Sequence, residues 1–365
     1  MISRYLYCLK NYSAAPWAAS LGWKLYKGLL HVYPRTASAR LSLRYRHCMV
    51  MIVGCLLHLG SAAWAFAKDP VPEIAISLDD APMPSTVIFK GTARTHAILQ
   101  QLRAVSSPPV GIFAVGVHAQ HAGGLRRLKM YAEAGHFIAN HTYSHYMLGQ
   151  VPAATFIQDI QKAHQQLCGL PNFRPWFRFP YLYEGDNVPQ RKAVLEALAT
   201  MGYQQGYVTV CNYDFHINHL VVQAIKKGQQ VAYDRLKTVY LTILWDCIDF
   251  YDKLAHQVLG RSVKQVLLLH ANDLAALYLG DLLELIRSKG WKVISIEEAY
   301  KDAMAHMTLT TPLSSQSRIA AIAHEKGLTQ LVKPHPSQTY TYIQQALEQA
   351  QVFTWPTPAP VSKQR

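Results

Sequence analysis

Charge and cysteine are both scarce in this 365-residue chain: Asp, Glu, Lys and Arg make up 16% of it, and there are six Cys. Beyond residue 67 only Cys168, Cys211 and Cys247 remain, with no CxxC pair and no metal-knuckle spacing. That excludes a disulfide scaffold and a cysteine zinc module, and leaves room for one bridge at most. No HExxH is present, which rules out a zincin-type protease. The glycine-rich phosphate loop of an open dinucleotide-binding sheet is missing as well. After residue 67 no apolar run approaches the length of a membrane span, so that part is expected to be soluble. Acidic residues are missing altogether from residues 1–67.

Those first residues do hold eight basic ones: Arg4, Lys10, Lys24, Lys27, Arg35, Arg40, Arg44 and Arg46. Removing them from the net charge of +14 leaves +6 on residues 68–365, spread without a basic block. A solvated, mildly basic surface explains that better than a nucleic-acid partner, and none is expected. The basic opening runs into the apolar stretch Cys48–Leu59 and then Ser61-Ala-Ala-Trp-Ala-Phe-Ala67. A positive region, an apolar core and a small-x-small ending describe a secretory signal peptide cleaved after Ala67, with the periplasm as destination. The n-region is unusually long, which fits a start site further downstream. The competing reading is an uncleaved anchor over residues 48–67, which would give the protein its sole contact with a membrane.

At 50% apolar residues the remainder has the composition of a globular domain. Short strand-like runs alternate with helical spacing: Ile74–Asp80, Val110–Gly116, His136–Thr142, Phe177–Tyr181, Tyr207–Asp214, Val263–His270 and Trp291–Ile296. Strict β-α alternation predicts a parallel sheet. Polar residues close the first, third, fourth, fifth and sixth runs, which suits a barrel mouth better than a single crevice in an open sheet. The expected fold is α/β, a distorted (β/α)7-type barrel over residues 68–305, with two helices inserted at 217–260. Residues 306–365, with a helix near Tyr342–Ala350 and a Pro-rich end, are expected to be an appendage.

Five short stretches at those run ends carry the chemistry. Asp79-Asp80 puts two carboxylates at the end of a strand, where one could bind a cation while the other faces water; a turn cap before Pro82 is the plain alternative. His141-Thr-Tyr-Ser-His145 spaces two imidazoles at i and i+4, adjacent on a helical turn, and two imidazoles with a carboxylate suit zinc. With 17 His in the chain, such a spacing also arises by accident. Arg178-Phe-Pro-Tyr181 reads either as a strand-ending turn or as an Arg fork holding a carboxylate, with the Tyr181 N–H facing an oxyanion. His270 follows the apolar residues Leu267–Leu269, where a general acid is the better reading than a core imidazole, and Asp214 could orient it. Tyr143, Trp176, Tyr183 and Phe215 are candidates to stack on sugar rings, although rim aromatics are as often packing.

Taken jointly and in this order, the five stretches resemble those of the polysaccharide deacetylase family (carbohydrate esterase family four, the NodB homology domain) over residues 72–305. The resemblance implies a metal-dependent hydrolase that removes acetyl groups from an acetylated glycan. Matched by position, Asp79 is the catalytic base, while Asp80, His141 and His145 are ligands to a divalent ion, Zn2+ first and Co2+ or another second. Arg178 orients the base, the Tyr181 N–H meets the oxyanion, and Asp214 partners His270, the acid. Two departures bear on substrate fit: Asp80 is followed by Ala81-Pro82 where the family has Gly, and Cys211-Asn-Tyr-Asp214-Phe215 keeps only the second Asp of its motif. A metal-independent cyclic-amide hydrolase and a non-catalytic glycan-binding relative are the competing expectations. Oligomeric state is left open.

Overall fold

A computed structural model of the protein describes residues 71–355, apart from 122, 311 and 313–315. The leader, the expected cleavage point and the last ten residues lie outside the described residues. The described residues fall into one unit.

The centre of the sheet is β1 (Glu73–Ala81), whose side chains are buried on both faces from Ile74 to Asp79. That is the pattern of a parallel strand covered on two sides. β1 is flanked by β2 (Gly111–Ala114) and β7 (Lys264–His270), with Asp79 opposite His270. The sheet continues from β2 through β3 (Phe137–Asn140) and β4 (Phe173–Phe177) to the two-residue β5 (Gln204–Gln205), and β8 (Lys292–Val293) also pairs with β1. Every pairing in this sheet is parallel.

No regular strand joins β5 to β7. Gly206 N donates to Phe177 O (2.7 Å), and further along Val210 N donates to Val266 O (3.1 Å) while Leu268 N donates to Val210 O (3.1 Å). Irregular backbone thus completes the ring that the run Tyr207–Asp214 was expected to complete as a strand. The segment passes so close to the Phe113 ring that a Cβ at Gly206 would stand 2.4 Å from it, which leaves glycine as the residue that fits. The expected barrel is therefore present and distorted, with its irregularity concentrated at residues 206–210. The fourth run also sits earlier than expected: β4 ends at Phe177, so Arg178 follows the strand.

The connecting helices are α1 (Gly91–Ala104), α2 (Gly116–Gln120), α3 (Gly124–Glu133), α4 (Ala153–Leu167) and α5 (Val188–Thr200). The expected insertion holds α6 (Asp214–Lys226), β6 (Gln230–Val231) and the long α7 (Tyr233–Leu259). After β7 come α8 (Asp273–Ser288) and α9 (Ile296–Ala299), then α10 (Arg318–Glu325), α11 (Tyr340–Gln349) and β9 (Phe353–Thr354). Among the described residues no helix is long and apolar enough to cross a membrane.

The C-terminal stretch is not an appendage. Ile319, Ile322, Ala323, Ile343, Leu347 and Val352 are buried in the same apolar core as β1 and β7. β9 pairs antiparallel with β6, so the tail and the insertion close on each other. Thr/Pro/Ser content at 306–317 masked this, because the buried positions of α10 and α11 come in two short runs separated by turns.

Candidate active site

The polar side chains gather where the strands end. Alternation along β1 sends Ser77 and Asp79 to one face, and Asp80 would ordinarily face away. It does not, because Asp80 adopts a left-handed backbone (φ 63°) and the pairing of β1 with β2 shifts register between Leu78 and Ala81. Both carboxylates therefore reach the mouth of the barrel.

His141 follows β3, and the stretch to His145 is a loop, not the helical turn that the i, i+4 spacing predicted. Thr142 (φ 64°) and His145 (φ 58°) are left-handed, and this folds the two rings together at 4.9 Å between centroids. The loop is held from below: Asp159 of α4 accepts from Tyr143 N (3.0 Å), Ser144 N (2.8 Å) and Ser144 Oγ (2.7 Å), while Asn140 Oδ1 accepts from Thr142 N (2.8 Å). Left-handed backbone at non-glycine residues costs about 1–3 kcal/mol each and persists where surroundings over-determine it. Tyr181 (φ 60°) is another such residue beside the site.

One carboxylate oxygen and two imidazole nitrogens converge within 4.8 Å of one another: Asp80, His141 and His145. His145 Nε2 lies 3.2 Å from Asp80 Oδ1, His141 Nε2 lies 3.7 Å from the same oxygen, and the two Nε2 atoms are 3.3 Å apart. Ligands about 2.0–2.1 Å from a tetrahedral ion stand about 3.3–3.4 Å from each other, so these spacings fit a shared cation. Asp80 Oδ1 is buried and accepts no hydrogen bond from the protein. His141 Nδ1 must donate to the carbonyl of Arg178 (2.8 Å), which leaves the Nε2 lone pair aimed at the group. Burial lowers the His141 pKa to about 4 against the pull of Asp79, so the ring is neutral, as a ligand must be. Burial alone would raise the Asp80 carboxyl, but the contact with His145 and the charges of His270, His145 and His141 outweigh it and hold the group well below the usual carboxylate range. The residues present fit a divalent ion.

Asp79 sits beside this group, 3.6 Å from His141 Nε2, and is clamped by Arg178 Nη1, which makes a short contact with Asp79 Oδ1. Arg178 is 1% exposed and its other donors are occupied by Ser77 Oγ (2.9 Å), Gly206 O (2.7 Å) and Tyr300 Oη (3.2 Å). Its guanidinium also lies over the Phe113 ring at 3.6 Å. On the other side of the mouth His270 Nδ1 pairs with Asp214 Oδ1 (2.7 Å), and Asp214 Oδ2 accepts from His270 N (3.0 Å) and Asn272 Nδ2 (2.8 Å). Burial disfavours the imidazolium, but the charge and hydrogen bond of Asp214 override it, and the His270 pKa stands at about 9. Asp214 was expected at a strand end; it opens α6 instead, with its N–H capped by Asn212 Oδ1 (3.0 Å).

The aromatic candidates divide. The Tyr181 ring is exposed and tilts over His145 at 4.7 Å, and Phe215 is exposed with its ring 5.5 Å from His270. Trp176 is corrected to a core residue: it is buried, with its ring edge-packed against Phe137 (5.5 Å) and Tyr300 (5.0 Å), and cannot meet a sugar. Tyr183 is half-buried and placed by Asp186, whose hydrogen bond raises its hydroxyl pKa. Tyr143 is buried beneath Lys162. Sequence reasoning missed Asp159, Asn140, Asn272 and Ser77. Asp159 had a signal: it is a carboxylate on the apolar stripe formed by Phe156, Ile160 and Ala163.

Comparison with known proteins agrees with the motifs. Residues 67–206 match the family model described as polysaccharide deacetylase. No curated protein sequence matches the chain. Similar solved structures include the chitin deacetylase of the fungal pathogen Colletotrichum lindemuthianum, at 18% identity and a TM-score of 0.43, covering 67% of this chain and 94% of that one. A peptidoglycan deacetylase of Bacillus subtilis gives 18% identity and a TM-score of 0.41 over 64% of this chain and 94% of that one. A pseudoenzyme of carbohydrate esterase family four from Bacillus anthracis gives 16% and 0.45 over 64% and 66%.

Proposed function

We propose that the protein is a metal-dependent deacetylase of an extracellular or cell-wall glycan, acting on N-acetyl amides in preference to O-acetyl esters. The observation that carries this is the convergence of Asp80, His141 and His145 beside an Asp79–Arg178 pair and across from an Asp214–His270 pair, all at one barrel mouth. A divalent ion, with Zn2+ first among candidates, would polarise the acetyl carbonyl and acidify water when bound there. Asp79, fixed by Arg178, takes a proton from the attacking water as the carbonyl carbon becomes tetrahedral. The backbone N–H of Tyr181 would donate to the resulting oxyanion. His270 then delivers its proton to the sugar nitrogen as the C–N bond breaks, so acetate and a free amine leave. A charged, Asp214-held imidazole matters most for an amine, which is a poor leaving group as an anion; this supports the amide preference.

Export is part of the proposal. The basic, acid-free leader and its apolar run support secretion with cleavage near Ala67, and the family match begins at residue 67. A membrane anchor over residues 48–67 is the alternative. The deciding experiment is acetate release from acetylated chitooligomers, peptidoglycan and acetylxylan by native, chelator-stripped and metal-restored protein. Release that stops on stripping and returns with metal supports the proposal; release indifferent to the metal, or none from any glycan, overturns it.

A further inference from the structure

Aromatic rings lead away from the catalytic mouth on the His270 side. Phe215 stands 5.5 Å from His270, Tyr213 is 5.4 Å from Phe215, and Tyr340, at the first turn of α11, is 5.2 Å from Tyr213 and 4.3 Å from His216. None of these residues lies in the matched segment 67–206; the row is built by the helical insertion and the C-terminal stretch.

Packing against the core accounts for the half-buried Tyr213, but not for Tyr340 and Phe215. α11 is already anchored by Ile343 and Leu347 in the core and by buried Ser337 and Gln338 just before it, with Gln338 Nε2 donating to Cys211 O (2.9 Å) and Tyr251 Oη (3.0 Å). Tyr340 is nevertheless 56% exposed and Phe215 40% exposed. Large aromatic faces left in water next to a reactive imidazole suit a ligand with apolar C–H faces and a hydroxyl rim, which describes a pyranose ring. The half-buried His216 adds a polar edge to that row.

We infer that Phe215, Tyr213 and Tyr340 form a ledge for further sugar rings on the His270 side, supplied by parts of the chain outside the matched segment. The inference rests on the deacetylase reading for the identity of the ligand class, but its test reads binding and not turnover. Chitooligosaccharides, acetylated xylooligosaccharides and peptidoglycan-derived glycan strands, from dimers upward, would be titrated calorimetrically against the full chain, Tyr340→Ala and Tyr340→Phe. For at least one series the wild type should bind longer members more tightly. Tyr340→Ala should lose about three- to tenfold in affinity for those longer members, the worth of one aromatic face, while Tyr340→Phe keeps it. Melting temperatures of the variants guard against loss of α11. Affinity independent of length, an Ala variant that binds long oligomers like the wild type, a Phe variant as weak as the Ala variant, or no binding of any series would each overturn the ledge. Length-dependent binding without acetate release would sink the deacetylase reading and leave the ledge standing.

Discussion

Two adjacent aspartates meet different partners because one residue changes hand. Asp79 stays in regular β geometry and meets Arg178, whereas Asp80 turns left-handed and meets the two imidazoles. Asp79→Asn should therefore leave metal content intact and abolish turnover, while His141→Ala should lose both; metal analysis of purified variants alongside acetate release checks this. The pairing of Asp79 with Asp80 was legible in the sequence, as was His270 at the end of an apolar run. The turn of Asp80 toward the site was not, since a positive φ is imposed by surroundings and not by an Asp-Ala-Pro string. His270 also gives a pH prediction. Its folded pKa of about 9 lies above the ordinary value, so the stability its proton provides is fully present below about 6.5 and is lost as pH rises through about 9. Under the proposed mechanism, its capacity to protonate a leaving amine would be lost over the same rise. Asp214→Asn removes the counter-charge, so the alkaline limb of the activity profile should move down toward neutral pH; an unmoved limb would show that another group sets it.

Among the elements, the loop from His141 to His145 depends on a neighbour with no direct part in the chemistry. Asp159 of α4 gathers two backbone N–H groups and the Ser144 hydroxyl, and so fixes the turn that brings His145 to His141. Asp159→Ala leaves those buried donors unmatched and frees His145, and metal affinity should fall about 10- to 100-fold, as for other groups that orient a metal's ligands. Asp159→Asn keeps one acceptor oxygen and should fall less. Competition with a chromophoric chelator measures both; equal loss in the two variants would point to charge instead of geometry. The spacing of His141 and His145 was readable, but as a helix, because i and i+4 neighbours in a helix and the ends of a tight loop look alike in a string. Strand five failed for a related cause: residues 207–211 are apolar enough for a strand, yet close contact with Phe113 at Gly206 bends the backbone out of regular pairing.

For the whole molecule, the stretch after residue 306 decides whether the barrel is complete. Thr/Pro/Ser turns made it look like an appendage, yet Arg318 N donates to Val208 O (2.8 Å) and its guanidinium reaches Gln205 Oε1 (2.9 Å), steadying the irregular segment that closes the ring. Gln338 holds Cys211 O, three residues before Asp214, and β9 pairs with β6 beside α7. Truncation before residue 312 would strip Ile319, Ile322, Ile343, Leu347 and Val352 from the core and uncover the face of α7 that α10 and α11 pack against. Each such side chain contributes about 1.5–3 kcal/mol of burial. A domain's whole margin is about 5–15 kcal/mol, so the loss of five is comparable with all of it. The truncated chain should be insoluble or unfold at much lower denaturant, with proteolysis starting in α7. A truncated protein that melts like the full chain while losing only activity would instead assign the C-terminal stretch to placing Asp214, through Cys211, and not to holding the barrel together.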